Sequence, residues 1–145
     1  MPAASDSTAS ALSPTELLVA YSDRMKAGDF EAVYDYFWPS FYSHGIARVA
    51  PNAPREMHIE LEKRFWMDSA VAFPDRKIEI EVQVSEGQIV ASNWTFSGTH
   101  SGGLYLGMEP NGAAVTINGT GIVRFENGRV IEHWGGPHCA RGIGL

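Results

Sequence analysis

The stretch Lys77-Ile78-Glu79-Ile80-Glu81-Val82-Gln83-Val84 alternates polar and apolar side chains without a break. A period of two belongs to a strand with one buried face, so Ile78, Ile80, Val82 and Val84 are expected inside and the charged residues in water. The same reading extends downstream. Ser85-Glu86-Gly87 turns the chain into an extended segment from Gln88 to about Ser101, and a further strand runs from about Ala113 to Glu126. Asn127-Gly128, a pair suited to a two-residue type I′ hairpin, then leads to a return strand from Arg129 to Trp134. Upstream the spacing of apolar residues is near four. Ser13-Pro14-Thr15-Glu16 predicts a capped helix start, Leu17, Tyr21 and Met25 form one face, and Gly28 supplies the stop. Asp29 is expected to cap a second helix carrying Phe30, Val33, Tyr34 and Phe37. A short extended segment from Phe41 to Gly45 follows, then a third helix from Pro54 to about Val71 with Met57, Leu61 and Phe65 on its buried stripe. Helices first and an antiparallel meander afterwards indicate an α+β fold with helices on one sheet face.

Composition narrows the classes of function. The 145 residues are 44% hydrophobic and 19% charged, ordinary for a globular chain, and one domain over 13–145 behind a small, polar tail at 1–12 is expected. A formal charge of −6 argues against a phosphate backbone as partner. No apolar run approaches the ~18 residues needed to cross a bilayer, and the N-terminus lacks a secretory signal, so a cytoplasmic location is expected. The single cysteine, Cys139, excludes an internal disulfide, and His133, His138 and Cys139 have no regular metal-ligand spacing.

Several segments, in this order, resemble the SnoaL-like polyketide cyclases of the nuclear transport factor 2-like superfamily. They are Ala72-Phe73-Pro74-Asp75, then Trp94-Thr95-Phe96-Ser97-Gly98-Thr99-His100-Ser101-Gly102, the punctuation from Gly107 to Gly112, and Asn127-Gly128-Arg129-Val130-Ile131-Glu132-His133-Trp134. The resemblance implies a cone-shaped barrel, in which a curved, mostly antiparallel sheet wraps around three N-terminal helices and leaves an apolar pocket. It implies acid/base chemistry with no metal or organic cofactor, a hydrophobic small-molecule substrate, and a homodimer. Cyclases of this kind carry an acid/base aspartate just after the His-Trp pair; here that position is Gly135, followed by Gly136.

The candidate catalytic residues are His133, His44, Tyr42 and His100. His133 shares a strand face with Ile131 and Gly135, while Glu132 points the other way and is expected to make a surface contact. By the resemblance, the His133 face lines the pocket, where an imidazole titrating near ~6.5 moves protons at neutral pH. Tyr42 and His44 lie two apart, positioned for one to donate and the other to accept at a substrate oxygen. His100 closes a glycine-rich motif where bulges re-aim side chains. Trp66 and Trp94, with Tyr21 and Phe65, are the expected substrate-binding walls. Asp75 reads as an acceptor for backbone N–H groups, and His58 and Arg55 as surface residues. The glycine-rich Gly135–Leu145 segment is expected to fold over the pocket mouth. The functional expectation is a cyclase or isomerase for a polyketide-like metabolite. Its alternatives are a non-catalytic carrier of such a molecule and an epoxide-opening cyclase or hydrolase.

Overall fold

The computed structural model describes residues 12–141; the tail at 1–11 and the last four residues lie outside that range. Helix α1 (Pro14–Lys26) begins as the sequence predicts. Ser13 Oγ accepts the Glu16 N–H at 3.2 Å, Pro14 occupies the first turn, and Gly28 leaves the helix at φ +85°. The second helix is much shorter than expected, a 3₁₀ turn (Phe30–Ala32) running into the single turn α2 (Val33–Tyr36). Asp29 makes no cap; its carboxylate is bound to Arg24, with Nε at 2.9 Å. Phe37 turns from helix to strand because β1 (Phe37–Ser43) pairs in parallel with the last strand, a long-range contact that local spacing does not announce. His44, expected in an extended segment, instead opens α3 (His44–Val49), whose first turn is capped by Ser43. Helix α4 (His58–Ala72) precedes the meander β2 (Lys77–Glu86), β3 (Ile89–Thr99), β4 (Ala114–Glu126) and β5 (Arg129–Arg141).

The five strands form one curved sheet in the order β1-β5-β4-β3-β2, antiparallel except at β1. At the β4–β5 hairpin Asn127 and Gly128 both adopt positive φ, +47° and +80°, as a type I′ turn requires. Two expectations fail in the sheet. The register of β2 slips between Ile80 and Val82, so the alternation reverses and Val82 and Val84 are 59% and 63% exposed while Ile78 and Ile80 stay partly buried. From Gly135 to Arg141 the segment is no flap, because β5 stays paired with β4 as far as Arg141 opposite Thr116; the rest of the expected flap lies outside the described residues. Among the described residues, no helix is long and apolar enough to cross a membrane.

The core is divided. One cluster gathers Tyr21, Met25, Val33, Phe37, Phe41, Val123, Phe125 and Val130, with Trp66 against it; the other gathers Phe73, Phe96, Tyr105, Val115 and Ile117, with Trp94 against it. Each large apolar side chain fully buried here contributes about 1.5–3 kcal/mol. The inner face of β4 shows why there are two clusters. Reading along it, Val115 and Ile117 belong to the second and Val123 and Phe125 to the first, and between them stand Gly119 and Gly121, which bring no side chain.

His58, expected at the surface, is 2% exposed, and its Nδ1 accepts the Ser43 backbone N–H at 3.0 Å. Burial, and then the Arg55 charge, hold its pKa below the ordinary 6.5. Burial likewise lowers His133. A folded state that keeps these imidazoles neutral binds fewer protons than the unfolded chain, so stability is full above pH ~6.5 and falls as the pH drops below it. The expected result is a melting temperature that declines through mildly acid pH, with a shallower decline in His58→Gln. Identical slopes in the two proteins would remove His58 from the account.

Candidate active site

His133 stands on the inner face of β5, opposite Val123 on β4 and Ser43 on β1. The residue is half-buried, with protein packed around its ring. Trp94, on β3, lies directly across Gly119: a Cβ added there would come within 2.1 Å of the indole ring. At Gly121 a Cβ would sit 3.3 Å from His133 Nε2 and 3.8 Å from Trp94 Nε1. The missing side chain leaves a niche with an imidazole nitrogen and an indole N–H on its two flanks. That is the pairing of a proton acceptor with a hydrogen-bond donor.

On the first core cluster, helices α1 and α4 bring Tyr21 and Trp66 together. Tyr21 is 4% exposed and packs edge-on against Trp66 with ring centroids 6.1 Å apart. Its buried hydroxyl lies beside Trp66 and Glu62 without a well-formed hydrogen bond to either. Burial, and then the Glu62 charge, push this phenol well above its usual pKa of 10, so it is a donor at neutral pH. Trp66 Nε1 donates to Glu62 Oε1 at 3.2 Å. The Glu62 charge also acts on His133, drawing its pKa upward against the stronger effect of burial, while the His44 charge opposes it.

The sequence-derived candidates therefore separate. His133, Trp94, Trp66 and Tyr21 border the division between the two core clusters. Tyr42 and His44 do not join them. Tyr42 pairs with Glu132 in the β1–β5 register, one step from the Ser43–His133 pair, and the two-residue period sends it to the other face. There His44 Nε2 meets Glu132 Oε2 at 2.8 Å and stacks on Trp134 at 4.9 Å, and Arg124 Nη2 holds the other Glu132 oxygen at 2.9 Å. Those contacts, His44 first, keep the Glu132 carboxyl below its ordinary pKa. His100 is also elsewhere, buried beside Phe73 and Tyr105 with Nε2 hydrogen-bonded to the Gly103 carbonyl at 2.6 Å. Phe65 is 52% exposed on the flank of α4. Asp75 accepts from Thr99 N at 2.7 Å and Thr99 Oγ1 at 2.8 Å, tying the start of β2 to the end of β3.

Two clefts open elsewhere on the surface. One of about 360 Å³ lies between α1 and β2, lined by Val19, Ser22, Asp23, Lys26, Ile80, Glu81 and Gln83; Ile80 pairs with Trp94, so this cleft borders the rim of the same interior. The other, about 630 Å³, lies at the hairpin tips around Gln88 and Asn127. Neither is centred on His133. Among the described residues, no three His, Cys, Asp or Glu side chains are grouped as metal ligands.

At Gly135 the structure explains why no carboxylate follows Trp134. This residue lies opposite Gly121 at φ +111°, and a Cβ would fall 2.1 Å from the Thr120 carbonyl oxygen. Both the dihedral and the contact exclude an aspartate without a backbone shift.

A curved, open sheet folded over helices, with a histidine and tryptophans between two core clusters, defines a cone-shaped α+β protein of the nuclear transport factor 2-like kind. A family model described as SnoaL-like polyketide cyclase matches residues 15–137, and the chain belongs to that family. Solved structures agree. A SnoaL-like polyketide cyclase from Agrobacterium tumefaciens superimposes with a TM-score of 0.71 at 16% identity, covering 88% of this chain and 92% of its own. IdmH, a candidate polyketide cyclase from Streptomyces antibioticus, gives 0.67 at 26% identity over 86% of this chain and 91% of its own. AclR, a candidate hydroxylase from Streptomyces galilaeus, gives 0.69 at 23% identity, over 86% and 74%. No curated protein matches the sequence.

Proposed function

We propose that the protein closes a ring in, or isomerises, a hydrophobic polyketide-like metabolite by general acid/base catalysis, with His133 as the base. The observation that carries this reading is the niche over Gly121, flanked by His133 Nε2 and Trp94 Nε1. Neutral His133, with its own proton on Nδ1, takes a proton from the carbon beside a substrate carbonyl. The C–H electron pair moves toward the carbonyl oxygen, where the Trp94 N–H is the donor at hand. The carbon then attacks a second carbonyl of the same molecule, and the resulting alkoxide takes the proton back from His133. The sum is an isomerisation that consumes no other reactant. Family membership and the likeness to IdmH support polyketides as the substrate class.

Incubation with linear and partly cyclised aromatic polyketides in deuterium oxide tests the proposal. Mass spectrometry is expected to show deuterium at the carbon beside the carbonyl and a new isomer. Tight binding with neither outcome would instead identify a carrier.

The homodimer belongs to the same proposal. Val82 and Val84 are 59% and 63% exposed, and Ile122 is 38% exposed on the same outer sheet face, next to Trp134 in register. A second copy of the chain docked there would cover them. Sedimentation is expected to give a dimer that Val84→Glu dissociates, and a monomeric wild-type protein at micromolar concentration would refute it.

A further inference from the structure

We infer that Gln83 is a substrate-binding residue, whose carboxamide N–H takes a carbonyl or phenol oxygen of an uncharged aromatic ligand seated in the cleft between α1 and β2. The inference rests on the proposed function for the class of molecule, and not on His133 as the base.

Three observations carry it. The first is the direction of the side chain. Unbroken alternation from Lys77 to Val84 would place Gln83 in water with Glu79 and Glu81. In the sheet Ile80 pairs with Trp94 and Val82 with Asn93, so β2 holds one residue more than β3 at Glu81. That extra residue reverses the faces. Gln83 pairs with Ser92, which shares its side of β3 with Trp94 and with the buried Val90. The glutamine therefore turns inward, half-buried, while Val82 and Val84 turn out. A dimer across the outer face makes use of the two valines, but nothing in it calls for an amide inside.

Second, no protein group takes up the amide. Gln83 Nε2 is buried and has no hydrogen-bond partner among the described residues. An unpaired buried donor is less stable than an apolar side chain of the same shape, so packing does not account for a glutamine here.

Third, Gln83 lines a cavity. The cleft of about 360 Å³ has Gln83 and Ile80 in one wall and Val19 of α1 in the other. Ligand pockets span about 300–1,000 Å³, so this one suits a small body of fused rings. Its charged residues are Asp23, Glu81 and Lys26, the last 3.9 Å from the Asp23 carboxylate. Two carboxylates against one ammonium disfavour an anion, and the oxygen that meets the amide is a neutral one. Rotation about the glutamine side-chain bonds carries the covered nitrogen to the cleft as the ligand enters.

Binding of two uncharged probes of one shape to the full-length protein, 2-acetylnaphthalene and 2-ethylnaphthalene, tests this. The ratio of ketone to hydrocarbon affinity is expected to fall about tenfold from the wild type to Gln83→Met, which keeps the length and removes the amide. Gln83→Glu, an acceptor in place of a donor, is expected to lower it at least as far and serves if Gln83→Met does not fold. In nuclear magnetic resonance spectra of the wild type, the Gln83 side-chain N–H signals are expected to shift with the ketone and not with the hydrocarbon. A ratio unchanged in the folded variant, signals that stay put at saturating ketone, or a wild type that binds neither probe at millimolar concentration overturns the inference. Neither probe can close a ring, so this result is distinct from a failure to find deuterium or a new isomer in a polyketide.

Discussion

Replacing His133 with glutamine is expected to lower turnover by about 10²–10⁴-fold while leaving the melting temperature close to that of the wild type. The magnitude follows from the role. A base that takes a proton in the rate-limiting step and returns it to the product alkoxide is used twice, and no second imidazole reaches the niche. His44 is engaged with Glu132 and Trp134, and His100 with the Gly103 carbonyl. Glutamine is close enough in size to spare the fold, and because burial holds the His133 pKa down, favouring the neutral ring, its replacement leaves no stranded charge. Steady-state kinetics over a pH series are the measurement. The wild-type rate should rise as the pH climbs through the lowered His133 midpoint and then level off, and the variant should lose that limb. A variant that keeps within a few-fold of wild-type activity would take His133 out of the chemistry.

The second large effect concerns two glycines. Gly119→Ala places a methyl group 2.1 Å from Trp94 Cζ2 and 2.5 Å from Cε2, so the indole must leave its seat. Overpacking of this kind costs about 1–3 kcal/mol, visible as a lower melting temperature and altered tryptophan fluorescence. Gly121→Ala is different. Its methyl group lies 3.3 Å from His133 Nε2, a tight contact that leaves the fold standing but occupies the niche where a substrate atom would sit. Turnover should therefore collapse with little change in stability. The contrast between the two is diagnostic. If both substitutions cost stability alike and Gly121→Ala stays active, the niche is a packing accident.

The failures of the sequence reading share a cause. In the helix expected from Pro54 to about Val71 the residues spaced by four, Met57, Leu61 and Phe65, form an apolar stripe, yet Met57 and Phe65 are 45% and 52% exposed while His58 and Ser69 are buried. Apolar periodicity identifies a buried face by what a hydrocarbon core would select. A polar side chain buried through a hydrogen bond violates that rule, as His58 does by accepting the Ser43 N–H and Ser69 by donating to the Trp66 carbonyl. Tyr42 and His44 were misplaced for another reason. Alternation says which residues share a face of a strand but not which face is inside, and the answer came from the parallel pairing of β1 with β5, ninety residues downstream in order of magnitude.

By itself the sequence determined the change from a helical period to a strand period, the capped start of α1, the hairpin at Asn127-Gly128, the order of the elements and hence the family. Those are short-range properties, written in side-chain spacing and turn chemistry. Only the tertiary structure decided that His133 and Trp94 converge over Gly121, and that Tyr42, His44 and His100 are occupied elsewhere. Convergence across strands and helices depends on register, on a bulge and on glycines that leave space. No local pattern encodes the distance between residues that meet only when the sheet curves.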